Sequence, residues 1–306
     1  MAKKNRKKAT PENLPEGMSR RQAKLAARAA EREALQKDPR PYAGLAAEAD
    51  LIALQEFVPS AVAALEVAGE TVNVVTVLPG AGAALRRAES EGGERFVALQ
   101  VGSHSQNPGR DLAYALNWVL SAEPGESLQS TVADGTQPEL SSLIDASTTP
   151  TITEHQDFTW WFPKGANIPA EVQQALSRAN DAVIPSTQIK ADVPGSIWWV
   201  NPGGGKGHIR WVRTDDNENQ ILSALARIAA RGELTVGEGS KFAGAFRTHG
   251  VVVPVWDVDP AVDVASYAGA LQELETKIAA EYDNDAQLSA DERKQLDNIK
   301  SRQVTI

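Results

Sequence analysis

The stretch SIWWVNPGGGKGHIRWV (196–212) sets four glycines and Lys206 within five residues, between two aromatic runs. Such a loop is raw material for a phosphate cradle. A P-loop needs G-x-x-x-x-G-K-[ST] and a helix starting at the lysine, so that backbone N–H groups and the helix dipole converge on the anion. Here Gly207 and His208 follow Lys206, and HIRWV alternates as a strand does. The loop is expected to be a hairpin tip. Lys206, His208 and Arg210 leave it the milder capacity of an anion-binding nest.

A second polar cluster is GSHSQNPGRD (102–111), where His104 stands among Ser103, Ser105, Asn107, Arg110 and Asp111. It falls between a strand and a helix, where α/β-type folds often hold ligands. Its plainer reading is helix capping by Asn107 ahead of Pro108. Six of seven tryptophans lie between 160 and 256, with Trp160–Trp161 and Trp198–Trp199 adjacent. Strand neighbours face opposite sides, so one indole of each pair leaves the core of its sheet. It then packs against another part of the chain or lines an aromatic cleft. These residues define one expected ligand cleft: His104, Asn107, Arg110, Lys206, Trp199 and Trp256.

Other chemistry is not legible. The four histidines have no H-x-x-x-H or H-E-x-x-H spacing, and no cysteine is available for a disulfide, thiolate site or nucleophile. There is no G-x-S-x-G elbow. Asp257 and Asp259 in WDVDP would need further oxygen ligands to hold Mg²⁺. No catalytic residue, metal ligand or cofactor is assigned, and the leaning is toward a non-enzymatic protein.

The elements that must carry these residues read as a duplication. LQEFVPSAVAALEVAGETVNVVTV (54–77) parallels NDAVIPSTQIKADVPGSIWWV (180–200), each with a helical end, an apolar-Pro-Ser step, and strands around a Gly turn. Residues 94–128 parallel 207–236: strand, polar loop, helix, then EPGESL or RGELTV. ELSSLIDASTTPTITEHQDFTWWFP likewise parallels KFAGAFRTHGVVVPVWDVDP, a short helix before a last strand. Each half therefore reads α-β-β-β-α-(short α)-β. The expected fold is α+β, a tandem repeat packed as a pseudo-dimer. Leu112, Leu116, Val119 and Leu120, and Ile221, Leu222, Leu225 and Ile228, keep helical spacing. Two C-terminal helices, the second opened by the capping box Ser289–Glu292, are expected to clasp the halves. The expected divisions are 1–42 (basic arm and helix), 43–163 (first repeat), 164–260 (second repeat) and 261–306 (helical extension).

Charge is distributed unevenly. Residues 1–40 carry twelve Lys/Arg against five acids, net +7, while the rest carries 19 against 35, net −16. Lys3, Lys4, Arg6, Lys7 and Lys8 form a block expected to be disordered. A helix is expected from Ser19, with Arg20 in its first turn and Arg21, Lys24, Arg28 and Arg32 on one face. DPRP (38–41) stops it. That face suits the phosphates of RNA, a ribosome or DNA; the alternative is a solvated helix. Its apolar side is mostly alanine, which binds a membrane weakly. No run approaches the ~18 apolar residues of a membrane helix, and no apolar segment follows the basic start as in a secretion signal.

EGMSRRQAKLAARAAEREALQKDPRP, ADLIALQEFVPSA, GERFVALQ, FRTHGVVVPVWDVD and SRQVT together resemble an uncharacterised actinobacterial protein family of unknown function. The resemblance implies a bacterial cytoplasmic protein and carries no activity or catalytic residues. Some members bear topoisomerase- or preprotein-translocase-related labels, but no nucleotide loop or zinc-binding cysteine here supports them. The leading expectation is an RNA- or ribosome-associated protein docked by its basic arm. The alternatives are a ligand-binding or catalytic body with its site between the repeats, and a protein–protein adaptor using exposed aromatics.

Overall fold

The structure, a computed structural model, describes Leu25 and residues 37–131, 135–163 and 165–305. The arm residues Lys3, Lys4, Arg6, Lys7, Lys8, Arg20, Arg21, Lys24, Arg28 and Arg32 lie outside the described residues.

Helix α1 (Glu48–Glu56) is EADLIALQE, and Leu51, Ile52, Ala53 and Leu54 are all fully buried. A helix apolar on nearly every side belongs between two layers. One of those layers is a sheet of β1 (Ala61–Val67), β2 (Glu70–Val75), β3 (Ala84–Arg86), β4 (Arg95–Ala98), β5 (Ser127–Leu128) and β6 (Thr151–Glu154), in spatial order β5-β3-β4-β2-β1-β6. Ala68 (φ 50°) and Gly69 (φ 82°) turn β1 into β2, the two positive-φ positions a tight hairpin requires. β2 and β4 run parallel. Helix α2 (Pro108–Ser121) covers the sheet's inner face, with the one-turn α3 (Leu140–Leu143) beside it.

Helix α4 (Ala170–Asp181) leads to the second sheet: β7 (Ser186–Gln188), β8 (Ser196–Val200), β9 (Gly207–Val212), β10 (Lys241–Thr248), β11 (Val251–Val258) and β12 (Val304–Thr305). Their spatial order is β12-β10-β11-β9-β8-β7. Only the β10–β12 pairing is parallel. Helices α5 (Glu218–Ala230), α6 (Tyr267–Tyr282) and α7 (Ala290–Ser301) pack on its outer face. The fold is α+β, with two six-stranded mixed sheets in an apparent duplication.

Alternation along β8 assigns the layers. Trp198 and Val200 join α1, α2 and the first sheet in one core, while Ile197 and Trp199 face α5–α7 in another. The layer order is sheet, helices, sheet, helices. Burying Trp198 completely in the inter-sheet core contributes roughly 1.5–3 kcal/mol or more on transfer alone.

Three expectations change. KFAGAFRT (241–248), expected as a short helix before the last strand, is itself strand β10, paired antiparallel with β11 through the His249–Gly250 turn. Trp160 and Trp161 sit in a 3₁₀ turn (Thr159–Trp161) and not in a strand. Asp157 starts that turn by accepting from Thr159 N and Oγ1, both within 3 Å. The C-terminal helices do not clasp both halves: their buried residues Tyr267, Leu271, Leu274, Ile278 and Ile299 belong to the second sheet's core. The extension also supplies β12 as an edge strand.

Candidate functional site: a cleft between the halves

The turn between β10 and β11 is His249–Gly250, with φ 46° and 78°. This tight hairpin carries the second half against the segment Asp38–Tyr42 that leads into α1. Two glycines permit the approach. A Cβ on Gly250 would stand 2.5 Å from Pro39 O, and one on Gly109 of α2 would stand 2.5 Å from Pro41 O. Arg40 locks the segment: Nε and Nη2 hold both oxygens of buried Glu48 at 2.7 and 2.9 Å, and Nη2 reaches Thr214 O beyond β9 at 2.7 Å. A bidentate Arg–carboxylate pair fixes orientation as well as distance.

Between these walls lies a cleft of about 1070 Å³. The end of α1 contributes Gln55 and Glu56, the path from β4 to α2 contributes Gln100, His104 and Ser105, and the second half contributes Arg247, Thr248 and His249. His249 Nε2 lies 2.6 Å from Glu56 Oε1, and its ring tilts against Tyr42 with centroids 5.7 Å apart. Tyr42 is buried and donates to Gln55 Oε1 at 2.6 Å. Burial, then the nearby charges of Glu56 and Asp111, push its phenol far above the ordinary tyrosine value, so it stays neutral.

Asp111, in the first turn of α2, accepts from Ser105 N and Oγ, each at 2.9 Å, and from Thr131 Oγ1 at 2.8 Å. Gln100 donates through Nε2 to Leu54 O (2.7 Å) and Val58 O (2.9 Å). Tyr42, Gln55, Glu56, Gln100, Ser105, Asp111 and His249 are thus each held by a neighbour before any ligand arrives, the preorganisation a binding site needs. Among the described residues no group of three or more His, Asp or Glu side chains is placed to hold a metal ion.

The structure separates the residues that the sequence grouped. His104 lines the cleft at its exposed rim, its Nδ1 2.8 Å from Ser105 O. Asn107 is buried beside it and caps α2, accepting from Arg110 N at 3.4 Å. Arg110 follows in that first turn but is not part of the lining. Lys206 stands at the glycine hairpin, where β8 and β9 pair antiparallel and Gly203, Gly204 and Gly205 all take positive φ. Its Nζ lies 2.9 Å from Asp257 Oδ2, and His208 Nδ1 is 3.1 Å from Oδ1. The bond from Lys206 leads in holding Asp257 below the usual carboxylate range. Trp199 and Trp256 are packed in the second sheet's outer core. Neither they nor Lys206 reach the cleft.

Sequence reasoning missed Tyr42, Gln55, Glu56, Gln100 and His249. One signal was present: THG between apolar runs is a hairpin turn, and it brings a histidine to its tip. The model of a family of unknown function, DUF5926, matches residues 41–306.

The chain belongs to the DUF5926 family.

The matched span takes in both sheets and nearly all of the cleft's wall, from Tyr42 to Thr305. No curated protein and no solved structure matches the chain. No helix among the described residues is long and apolar enough to cross a membrane.

Proposed function

We propose that this DUF5926 chain is a ligand-binding protein whose site is the cleft between its two halves. The observation that carries the reading is the cleft itself: about 1070 Å³, walled by both halves, with polar side chains already anchored. That volume is on the order of a small-molecule pocket, ~300–1,000 Å³. Both glycine contacts and the Arg40 bridge keep its walls in register, so a ligand there would couple the halves.

A thermal-shift screen of the full chain against nucleotides, amines, sugars and organic acids tests this. At least one class should raise Tm, since a ligand of the native state stabilises it. The shift should disappear in the double variant Gln106→Trp/Thr305→Trp, which narrows the cleft from two exposed positions. A blank screen, or a shift that survives in that variant, would overturn the reading.

The charge asymmetry supports a second role. The +7 of residues 1–40 against the −16 of the remainder suits an arm that anchors the protein to RNA or a ribosome in the bacterial cytoplasm. Co-sedimentation across a salt series should then fall steeply with salt and be lost in a chain starting at Tyr42. Equal sedimentation of the two chains would refute it.

A further inference from the structure

Along the inner wall of the cleft several groups have already given their hydrogens away, whereas Gln55 accepts through Oε1 and keeps its amide hydrogens. Gln100 donates both amide hydrogens to the carbonyls of Leu54 and Val58, so only its Oε1 is left to offer. Tyr42 gives its one hydrogen to Gln55. Ser105 and Thr131 give theirs to Asp111, whose carboxylate can only accept. What Gln100, Tyr42, Ser105, Thr131 and Asp111 retain is acceptor capacity.

Charge has the same sense. Asp38, Glu56, Asp111 and Glu218 line the cleft, against Lys37 and Arg247, and Arg247 is already paired with Glu218. His249 is held by Glu56. The raised phenol of Tyr42, to which Glu56 and Asp111 contribute after burial, agrees with a negative field at this wall. An anion entering here would meet more carboxylates than cations, with the Gln55 amide and the Lys37 ammonium among the donors left to it. A divalent ion would find no cluster of ligands among the described residues.

We propose that the cleft binds an organic cation that donates hydrogen bonds, an amine or guanidinium group, against Glu56, Asp111 and the carbonyl oxygen of Gln100. This inference rests on the cleft being the binding site. The same chemistry is offered by a free polyamine and by a basic side chain of a peptide.

Isothermal titration of the full chain separates the sources. The probes are agmatine, spermidine, an acetylated and amidated Lys-Ala-Arg peptide, ATP, citrate and MgCl₂ alone, each at low and at moderate salt. At least one of the three basic probes should bind, and which of them binds best names the source. Glu56→Gln should weaken that binding about tenfold, the equivalent of one charge-assisted hydrogen bond. Asp111→Asn should do the same, read only on protein shown to be folded by circular dichroism. Lys206→Ala, at the distant hairpin, should leave it unchanged. Because the body is acidic overall, adsorption must be told apart from binding: Gln106→Trp/Thr305→Trp should abolish a true cleft interaction. Retention of amine binding in that variant would overturn the inference. So would binding of ATP or citrate in place of the amines, with loss in the narrowed variant, but that result would leave the cleft reading standing. If none of these probes binds while the broader screen finds a cleft ligand of another class, the cation assignment fails alone; if both are blank, both fail.

Discussion

The two halves pass from their second hairpin strand to the next strand by different routes. In the first half residues 76–94 separate β2 from β4, long enough to lay β3 along the far side of β4 and return β4 parallel to β2. In the second half residues 201–206 are all that separates β8 from β9, and the three positive-φ glycines fold β9 back antiparallel. Parallel neighbours need a crossover; antiparallel ones need only a turn. β4 and β9 then each feed a helix through an asparagine cap, but α2 lies between the sheets and α5 on the outside. The same local signals, a buried serine after proline at Ser60 and Ser186 and a cap at Asn107 and Asn217, are reused within different topologies. The comparison teaches that capping and burial patterns define elements, whereas connection length decides how a sheet is wired.

The largest difference between the halves should appear at their tryptophans. Trp198 is fully buried between the sheets, where α1, α2 and both sheets share one core. Trp160 is half-buried on the outer face of the first sheet, stacked near Phe96 and bonded through Nε1 to Ser60 Oγ at 2.9 Å. Trp198→Ala should cost about 3–5 kcal/mol, the range for removing a buried aromatic. Trp160→Ala should cost roughly 1–2 kcal/mol, within the ordinary spread for a partly exposed site. Urea unfolding at fixed pH measures both. Similar costs would mean that the inter-sheet core is no more critical than the outer one, and the picture of two halves fused through α1 would have to be abandoned.

Much of the fold was legible because it is written in local patterns. The glycine hairpin, the cap at Asn107 and the capping box at Ser289 each lie within a few residues of their partners, and all three form. The edge strands β5 and β12, two residues each, and β3, of three, carry no period that a sequence can display. The Trp160–Trp161 pair looked like strand because aromatic composition was weighed above Asp157, which starts the turn. The cleft was half legible. His104 announced itself through its polar neighbours, but Glu56 and His249 are 193 residues apart, and each is ordinary in its own window. A site assembled from loops of both halves is invisible until the topology is known.

The smallest effect tests whether the two caps are truly equivalent. Asn217 is exposed and accepts from two backbone N–H groups, Asn219 at 3.0 Å and Gln220 at 3.3 Å. Asn107 is buried and accepts from Arg110 N at a longer 3.4 Å. Bond length favours Asn217; burial favours Asn107. Removing a cap costs about 0.5–2 kcal/mol. Where water can reach the freed N–H groups the cost falls to the lower end, and where it cannot the desolvation penalty is added. Burial should win: Asn107→Ala is expected near 2 kcal/mol and Asn217→Ala near 0.5 kcal/mol by the same reasoning. Unfolding of the two single variants and the double variant decides it. Additive costs in that order support independent caps in different surroundings. A larger loss at Asn217 would show that bond geometry outweighs solvent access, and that the helix on the outside depends more on its cap than the helix held between the sheets.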